Sequence, residues 1–175
     1  MERTTRTGTL PYACCLLVVG VLLLASSPGA AAASRRLLQT SPAQDYTVPQ
    51  AHYRACNFLR PFKWSDELAE RAAQWAGQYR DNCAAASPAA GINVFLGSAG
   101  GSWLPSDAVA AWAAEKDNYN YDSNSCTGGH CGHYTQLVWK DTKQLGCATV
   151  ECASGETLMT CHYEPAGNLD GQKPF

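Results

Sequence analysis

The stretch C-T-G-G-H-C-G-H-Y-T-Q-L-V-W, residues 126–139, contains most of the residues that decide how this chain folds. Its first eight residues hold two cysteines, two histidines and three glycines. The glycines lack the strand–loop–helix setting and the Lys-Ser/Thr pair of a phosphate-binding loop, which argues against a nucleotide site. Residues 135–139 are mostly β-branched or apolar and predict a strand.

Upstream of this stretch, the sequence predicts three helices. The clearest covers residues 65–81, where Ser65 is a favourable N-cap and apolar residues recur at helical spacing. Another helix covers part of residues 47–57 and must either place Pro49 in its first turn or bend there. A third covers residues 106–116.

Short β-rich runs predict further strands at residues 93–96, 145–151 and 157–163. Turn residues separate the last two runs from each other and from residues 135–139, which suggests an antiparallel meander. Helices early in the chain and strands late predict an α+β fold.

The composition limits the class of protein. A length of 175 residues predicts one domain, and 46% apolar with 16% charged residues excludes an intrinsically disordered chain. A net charge of −2 without a basic stripe argues against a nucleic-acid partner. Nine cysteines without a C-x-x-C pair predict a secreted protein with disulfides.

The N-terminus supports secretion. Residues 1–33 have a short basic start, an apolar core of about 14 residues and small residues at the end, which is typical of a cleaved signal peptide. The alternative is a signal anchor, although the core is short for a membrane span. We expect a flexible leader over residues 34–43 and a folded domain over residues 44–175. No other long apolar run occurs, so we expect no transmembrane segment after cleavage.

Four segments together resemble the pathogenesis-related protein 1 family of plants, part of the CAP superfamily with cysteine-rich secretory proteins and antigen 5. They are W-A-A-E-K-D-N-Y-N-Y (112–121), the quoted stretch, L-G-C (145–147) and C-H-Y-E-P-A-G-N-L-D-G-Q-K-P-F (161–175). The resemblance covers about residues 44–175. It implies a three-layer α-β-α sandwich with a central antiparallel sheet.

The same resemblance implies six structural cysteines, whereas the sequence alone allows 15 pairings of six cysteines. The implied pairs are Cys83–Cys147, Cys126–Cys131 and Cys152–Cys161. Cys56 is left over, either as a buried thiol on the first helix or in an intermolecular disulfide.

The resemblance also implies a cleft lined by two histidines and two glutamates, which is a plausible site for a divalent metal. Glu115 and His133 match two of these positions, but Gln50 and Ile92 occupy the other two. One histidine and one carboxylate do not make a strong site, so we expect no cofactor and weak or absent metal binding.

The other histidines do not match the cleft positions of the family. His52 is two residues from Gln50, about 200° around a helix, and therefore faces another way. We expect His52 and His130 at the surface, with incidental metal contact as the alternative, and His162 in a structural position.

The first hypothesis is a secreted, apoplastic defence protein that is monomeric and not an enzyme. The resemblance implies sterol or lipid binding through an aromatic loop, here matched by Trp112, Tyr119 and Tyr121. Aromatic rings with a polar group suit an amphipathic ligand. The alternative is that these rings only pack in the core or loop. Microbial proteins are further candidate partners.

Two other hypotheses remain open. The family's last eleven residues can be released as a signalling peptide, here residues 165–175, cut between Glu164 and Pro165; the alternative is that this tail packs on the sheet. A metal-assisted hydrolase or protease using His133 and Glu115 is the third hypothesis. No nucleophile motif such as G-x-S-x-G supports it.

Overall fold

A computed structural model of the protein describes residues 42–175. The expected signal peptide over residues 1–33 lies outside the described residues, and so does the leader as far as residue 41. Residues 42 and 43 are already helical, so regular structure is present before the expected domain boundary at residue 44.

Four α-helices follow one another along the described chain: α1 (Pro42–Ala55), α2 (Asp66–Gly77), α3 (Pro105–Ala114) and α4 (Gly132–Leu137). Helical positions are therefore confirmed in all three predicted regions. Pro49 lies inside α1, beyond its first turn. The Ser65 hydroxyl accepts the amide of Leu68 at 3.2 Å, which confirms the predicted N-cap of α2.

The prediction of a strand at residues 135–139 is wrong, because most of this segment belongs to α4. Tyr134, Thr135, Gln136 and Leu137 are all buried. A short helix that is buried on every side shows no amphipathic period, and its apolar run looks like that of a buried strand.

The main sheet has four strands in the order β1-β5-β6-β2. These are β1 (Lys63–Trp64), β2 (Ile92–Gly97), β5 (Gln144–Glu151) and β6 (Thr157–Glu164), and a separate pair is formed by β3 (Tyr119–Asn120) and β4 (Ser125–Cys126). The strands predicted near β2, β5 and β6 are confirmed. β6 pairs antiparallel with both β5 and β2, whereas β1 is parallel to β5.

Helices cover both faces of this sheet. α2 packs on β5 and β6, while α1, α3 and α4 pack together on the other side with β2. Each face has its own apolar cluster, a large one beneath α1, α3 and α4 and a smaller one beneath α2. This arrangement confirms the expected three-layer α-β-α sandwich. Within residues 42–175, no helix combines the length and apolarity needed to cross a membrane.

Two of the three expected disulfides are wrong. The structure contains Cys126–Cys131 as expected, but the other two pairs are Cys83–Cys152 and Cys147–Cys161. The reason lies in the two faces of the sheet. Cys147 and Cys161 are directly opposite on β5 and β6 and point into the larger cluster.

Cys83 and Cys152 lie in the smaller cluster, on the α2 side, and therefore meet each other. Cys56 belongs to none of these three bonds; it follows the last residue of α1 and is half-buried.

The end of α1 is tied to the end of α4 by one buried guanidinium group. Arg54 donates from Nε to the carbonyl of Arg60 at 2.7 Å and from Nη1 to those of Leu137 and Trp139 at 3.1 and 2.9 Å. Burial lowers the pKa of Arg54 to about 10, so the group remains charged at neutral pH. These bonds satisfy carbonyls at the end of α4 that have no partner inside the helix.

Candidate functional site

A cleft of about 740 Å³ opens beside the first residues of β2 and the N-terminal end of α4. Part of its lining is apolar and comes from the turn before β2 and from the strand itself: Pro88, Ala89, Ala90 and Ile92. The polar part includes Glu115, His130 and His133. The cleft therefore joins an apolar surface to a polar one.

The apolar part is held by a tight turn. The amide of Ile92 donates to the carbonyl of Ala89 at 2.9 Å, and Gly91 has a φ of 73°, in the left-handed region that favours glycine. A Cβ atom at Gly91 would also lie 2.9 Å from the Cβ of Ala166. Any larger residue at this position would disturb the turn and the cleft wall.

The polar part is organised by a hydrogen-bonded pair. His133 Nδ1 lies 2.6 Å from Glu115 Oε1, and the backbone amide of His133 donates to Glu115 Oε2 at 2.8 Å. Glu115 is placed by the short 3₁₀ turn after α3, and His133 by the first turn of α4. Trp112 stacks on the imidazole with ring centres 6.2 Å apart, which adds a second contact to His133.

Electrostatics favours an ionised carboxylate in this pair. Burial raises the pKa of Glu115. The hydrogen bonds and charge of His133, together with the amides of His133 and Tyr134, lower it by a larger total, so the pKa lies below its ordinary value. Nε2 of His133 is buried and finds no hydrogen-bond partner among the described residues. A base acting through Nε2 would therefore first have to be uncovered.

Gln50 does not line this cleft, contrary to expectation. Its side chain is fully buried and accepts a hydrogen bond from Tyr163 Oη at 2.8 Å. Asn93 connects this core position to the cleft, because its Nδ2 lies 3.4 Å from Tyr163 Oη and donates to the carbonyl of His133 at 3.0 Å. Burial raises the pKa of Tyr163, so its hydroxyl remains a donor.

The residues of the cleft do not fit a divalent cation. Both carboxylate oxygens of Glu115 and the Nδ1 atom of His133 are used within the pair. The side chain of Ile92 has no atom that could ligate a metal, and Gln50 lies in the core. Across residues 42–175, no group of three or more His, Cys, Asp or Glu side chains is placed to hold a metal.

The three aromatic residues expected to contact lipid differ in exposure. Trp112 is only 1% exposed and donates from its indole to the carbonyl of Val94, so the expectation that it contacts lipid is wrong. Tyr119 is half-buried, and its hydroxyl donates to Asn124. Tyr121 is 40% exposed, but its ring stacks on Phe175 with centres 5.0 Å apart.

The C-terminal segment, residues 165–175, packs on α4 and its neighbouring loops. The amide of Gly167 donates to Gln136 Oε1 at 2.8 Å, and Asn168 Nδ2 donates to the carbonyl of Gly132 at 2.8 Å. The carbonyl of Pro174 accepts the amide of Lys140 at 2.7 Å. These contacts make the segment part of the folded domain.

The sequence model of the family described as "CAP: Cysteine-rich secretory protein family" matches residues 50–163. The chain belongs to the CAP family. It is 46% identical over 134 residues to pathogenesis-related protein PR-1 of Medicago truncatula, covering 74% of this chain and 77% of that protein. It is 39% identical over 132 residues to pathogenesis-related protein 1 of Arabidopsis thaliana, covering 75% and 81%.

The CAP fold is also found in the crystal structure of hookworm platelet inhibitor, with a TM-score of 0.61. The match has 24% identity and covers 76% of this chain and 74% of that one, so it establishes the fold alone. The names of the plant relatives support a role in defence. The three disulfides fit an extracellular CAP protein.

Sequence reasoning missed several residues that organise this CAP protein. In the sequence, Asn93 is only the first residue of a β-rich run, and no motif marks Arg54. A polar residue inside a β-rich run is a usable signal for Asn93, because such a residue must find partners when buried. The partners of Arg54 are backbone carbonyls far along the chain, which no local pattern indicates.

Proposed function

We propose that this CAP protein is a secreted, non-catalytic defence protein that binds a sterol or a similar lipid in the cleft beside Glu115 and His133. The observation that carries the proposal is the apolar side chain of Ile92 in the lining of that cleft. Defence would follow if the protein withdraws sterol from an invading microbe in the apoplast.

The size and character of the cleft suit an amphipathic ligand. Its volume of about 740 Å³ lies in the usual range for small-molecule sites, about 300–1,000 Å³. A sterol combines a rigid apolar ring system with one hydroxyl group. Its rings would pack on the surface formed by Pro88, Ala89, Ala90 and Ile92. A carboxylate in place of Ile92 would oppose this packing, because a charged group is costly to bury.

The same contacts favour binding over catalysis. Ser87 lines the cleft, but Nδ1 of His133 contacts Glu115 and Nε2 is buried. No oriented nucleophile and base are therefore assembled among the described residues. Ester or peptide turnover that disappears in His133→Ala would instead support the hydrolase alternative.

The test is ergosterol binding by the purified, disulfide-oxidised protein in solution. We expect saturable binding that Ile92→Glu weakens about tenfold, because a buried carboxylate replaces apolar contact. Leu96→Glu is the matched control, since Leu96 lies on the same strand but outside the cleft lining. Tyr121→Ala tests whether the ligand binds at the aromatic loop instead, because Tyr121 does not line the cleft.

Absence of saturable binding by the unsubstituted protein would reject the proposal. Normal binding by Ile92→Glu together with loss in Tyr121→Ala would place the ligand on the loop instead.

A second proposed role is that of precursor of a signalling peptide, residues 165–175. Glu164 and Pro165 are both exposed where β6 ends, which makes the bond between them accessible to a protease. The segment after the bond is held by Gln136, Gly132 and Lys140, so cutting alone would not free it. Release would also require these contacts to break.

Mass spectrometry of fluid secreted by plant tissue that expresses the protein tests this role. We expect a peptide of residues 165–175 after infection, and its loss when Glu164→Gln replaces the residue before the cut. Arg71→Gln is the control, because it removes the ion pair with Glu164 at 2.9 Å without changing the cleavage sequence. Failure to detect the peptide in infected tissue would argue against this role.

A further inference from the structure

The loop after α1 carries the most exposed large apolar side chain among the described residues. Phe58 is 100% exposed and has a φ of 56°, in the left-handed region. The amide of Phe58 donates to the carbonyl of Ala55, and that of Leu59 to the carbonyl of Arg54, both at 3.0 Å. This pair of bonds is a Schellman motif, in which glycine is the usual residue at the position of Phe58.

Phe58 is therefore unfavourable for the folded chain in two respects. A side chain with a Cβ atom is strained at this φ, and a fully exposed phenyl ring contributes no packing. A residue kept in a strained and exposed position suggests a use outside the fold. The ring is available to an external surface.

Exposed cations lie on the loop that carries Phe58 and on the segment beside it. Arg54 bonds to the carbonyls of Arg60 and Trp139, and the amide of Lys63 donates to the carbonyl of Lys143 at 3.0 Å, so residues 57–63 lie beside residues 140–143. We call these two segments the basic face. Its exposed charged side chains are four cations and one anion: Arg60, Lys63, Lys140, Lys143 and Asp141.

This local excess of positive charge contrasts with the net charge of −2 of the whole chain. The neighbouring carboxylate of Glu164, whose carbonyl accepts the amide of Lys143, is paired with Arg71 at 2.9 Å.

We propose that the basic face docks on an anionic lipid bilayer, with Phe58 entering the headgroup region. Phe side chains are among those that insert at the boundary between headgroups and acyl chains, and each nearby Lys or Arg is attracted to anionic lipid. A protein partner fits less well, because Phe58 is the only strongly exposed large apolar residue described in the two segments. The face lies at the C-terminal end of α4, whereas the cleft lies at its N-terminal end.

The test is co-sedimentation of the disulfide-oxidised protein with vesicles. We expect binding to a three-to-one mixture of phosphatidylcholine and phosphatidylserine, but not to phosphatidylcholine alone, and weaker binding at high salt. Phe58→Gly should lower vesicle affinity about tenfold through lost apolar burial. The double variant Lys140→Gln, Lys143→Gln should lower it about twentyfold.

Two further variants keep the interpretation specific. Phe58→Trp should retain binding, because tryptophan is also favoured at the interface. Val48→Ala is the matched control: Val48 is 64% exposed on α1 but precedes the end of that helix by about 10 Å. Phe58→Gly should melt at the same or a higher temperature, because glycine suits the φ of 56°.

Several results would overturn the proposal. They are absence of binding to the anionic vesicles, equal binding to neutral vesicles, or unchanged binding by Phe58→Gly. A lower melting temperature of Phe58→Gly would show that the ring supports the fold instead. If the protein self-associates in solution and Phe58→Gly abolishes this association, the face is a protein contact. Ile92→Glu, which changes only the cleft, should bind vesicles normally.

Discussion

Ile92 lies at the start of β2 and places an apolar side chain in the cleft lining, which also contains Glu115. Gln50 acts differently, because it is buried and accepts a hydrogen bond from Tyr163. Ile92 therefore shapes the surface that a ligand would meet, whereas Gln50 belongs to the interior. Neither residue supplies a metal ligand to the cleft, and only Ile92 adds an apolar contact there.

Protonation of His162 is expected to affect the stability of the folded chain. It lies on β6, its Nε2 atom is buried without a partner among the described residues, and Trp75 contacts its ring edge. Burial, with a smaller contribution from the charge of Arg71, lowers the pKa of His162 below its ordinary value. The unfolded chain therefore binds this proton more readily than the folded chain.

We predict that His162→Phe becomes more stable relative to the original protein as the pH falls below about 6.5. The phenylalanine takes up no proton, so the variant lacks a destabilising term that grows by at most about 1.4 kcal/mol per pH unit. Urea unfolding at pH 7.5 and pH 5.5 measures this difference in the free energy of unfolding.

The control for this measurement is Leu158→Val, on the same strand and in the apolar cluster beneath α2. It should lower the free energy of unfolding equally at both pH values, since no titrating group changes. An equal effect of His162→Phe at both pH values would contradict the prediction.

At the level of elements, α2 lies so close to β5 that only glycine fits between them. A Cβ atom at Gly146 would lie 2.0 Å from the backbone nitrogen of Ala69 and 2.6 Å from the Cβ atom of Leu68. The helix backbone cannot move at one point without lifting a whole turn from the sheet. Gly146 therefore sets the distance between the outer helical layer and the strands.

We predict that Gly146→Ala lowers the free energy of unfolding by at least about 2 kcal/mol, because the methyl group overpacks the interface. Gly77→Ala is the matched control, since Gly77 ends α2 and no atom lies within 4 Å of a Cβ there. That control should be neutral or stabilising by up to about 1 kcal/mol. A similar loss of unfolding free energy in the two variants would show that Gly146 does not set the distance between α2 and β5.

At the level of the whole molecule, the disulfides divide between the two sides of the sheet. Cys147–Cys161 joins opposite residues of neighbouring strands on the side of α1, α3 and α4. Cys83–Cys152 joins the turn after α2 to the end of β5 on the other side, across 69 residues of chain. The second bond therefore constrains the unfolded chain far more than a local bond does.

We predict that peptide mapping of the unreduced protein recovers Cys83 linked to Cys152 and Cys147 linked to Cys161. Replacing Cys83 and Cys152 by serine should cost about 4 kcal/mol in the chain-entropy estimate for a separation of 69 residues. The matched pair Cys126 and Cys131, only five residues apart, should cost about 2 kcal/mol. Recovery of Cys83 linked to Cys147 would contradict the structure.

Much of the fold was accessible from local pattern. The N-cap Ser65, the periodic apolar residues of α2 and the alternating runs of β5 and β6 all act through neighbours in sequence. The helix α4 could not be predicted in this way, because complete burial removes the periodicity that distinguishes a helix from a strand. Within the candidate site, Glu115 and His133 were implied by the family resemblance, and the structure shows them paired.

The amino-acid sequence by itself determined the CAP family and the α+β class, and it predicted a secreted protein. These follow from composition, spacing and side-chain identity, which are properties of the chain alone. Only the tertiary structure decided the pairing of the cysteines, the burial of Gln50 and Trp112, and the exposure of Phe58. The physical reason is that each depends on which face of an element meets the core, and residues distant in the chain provide that core.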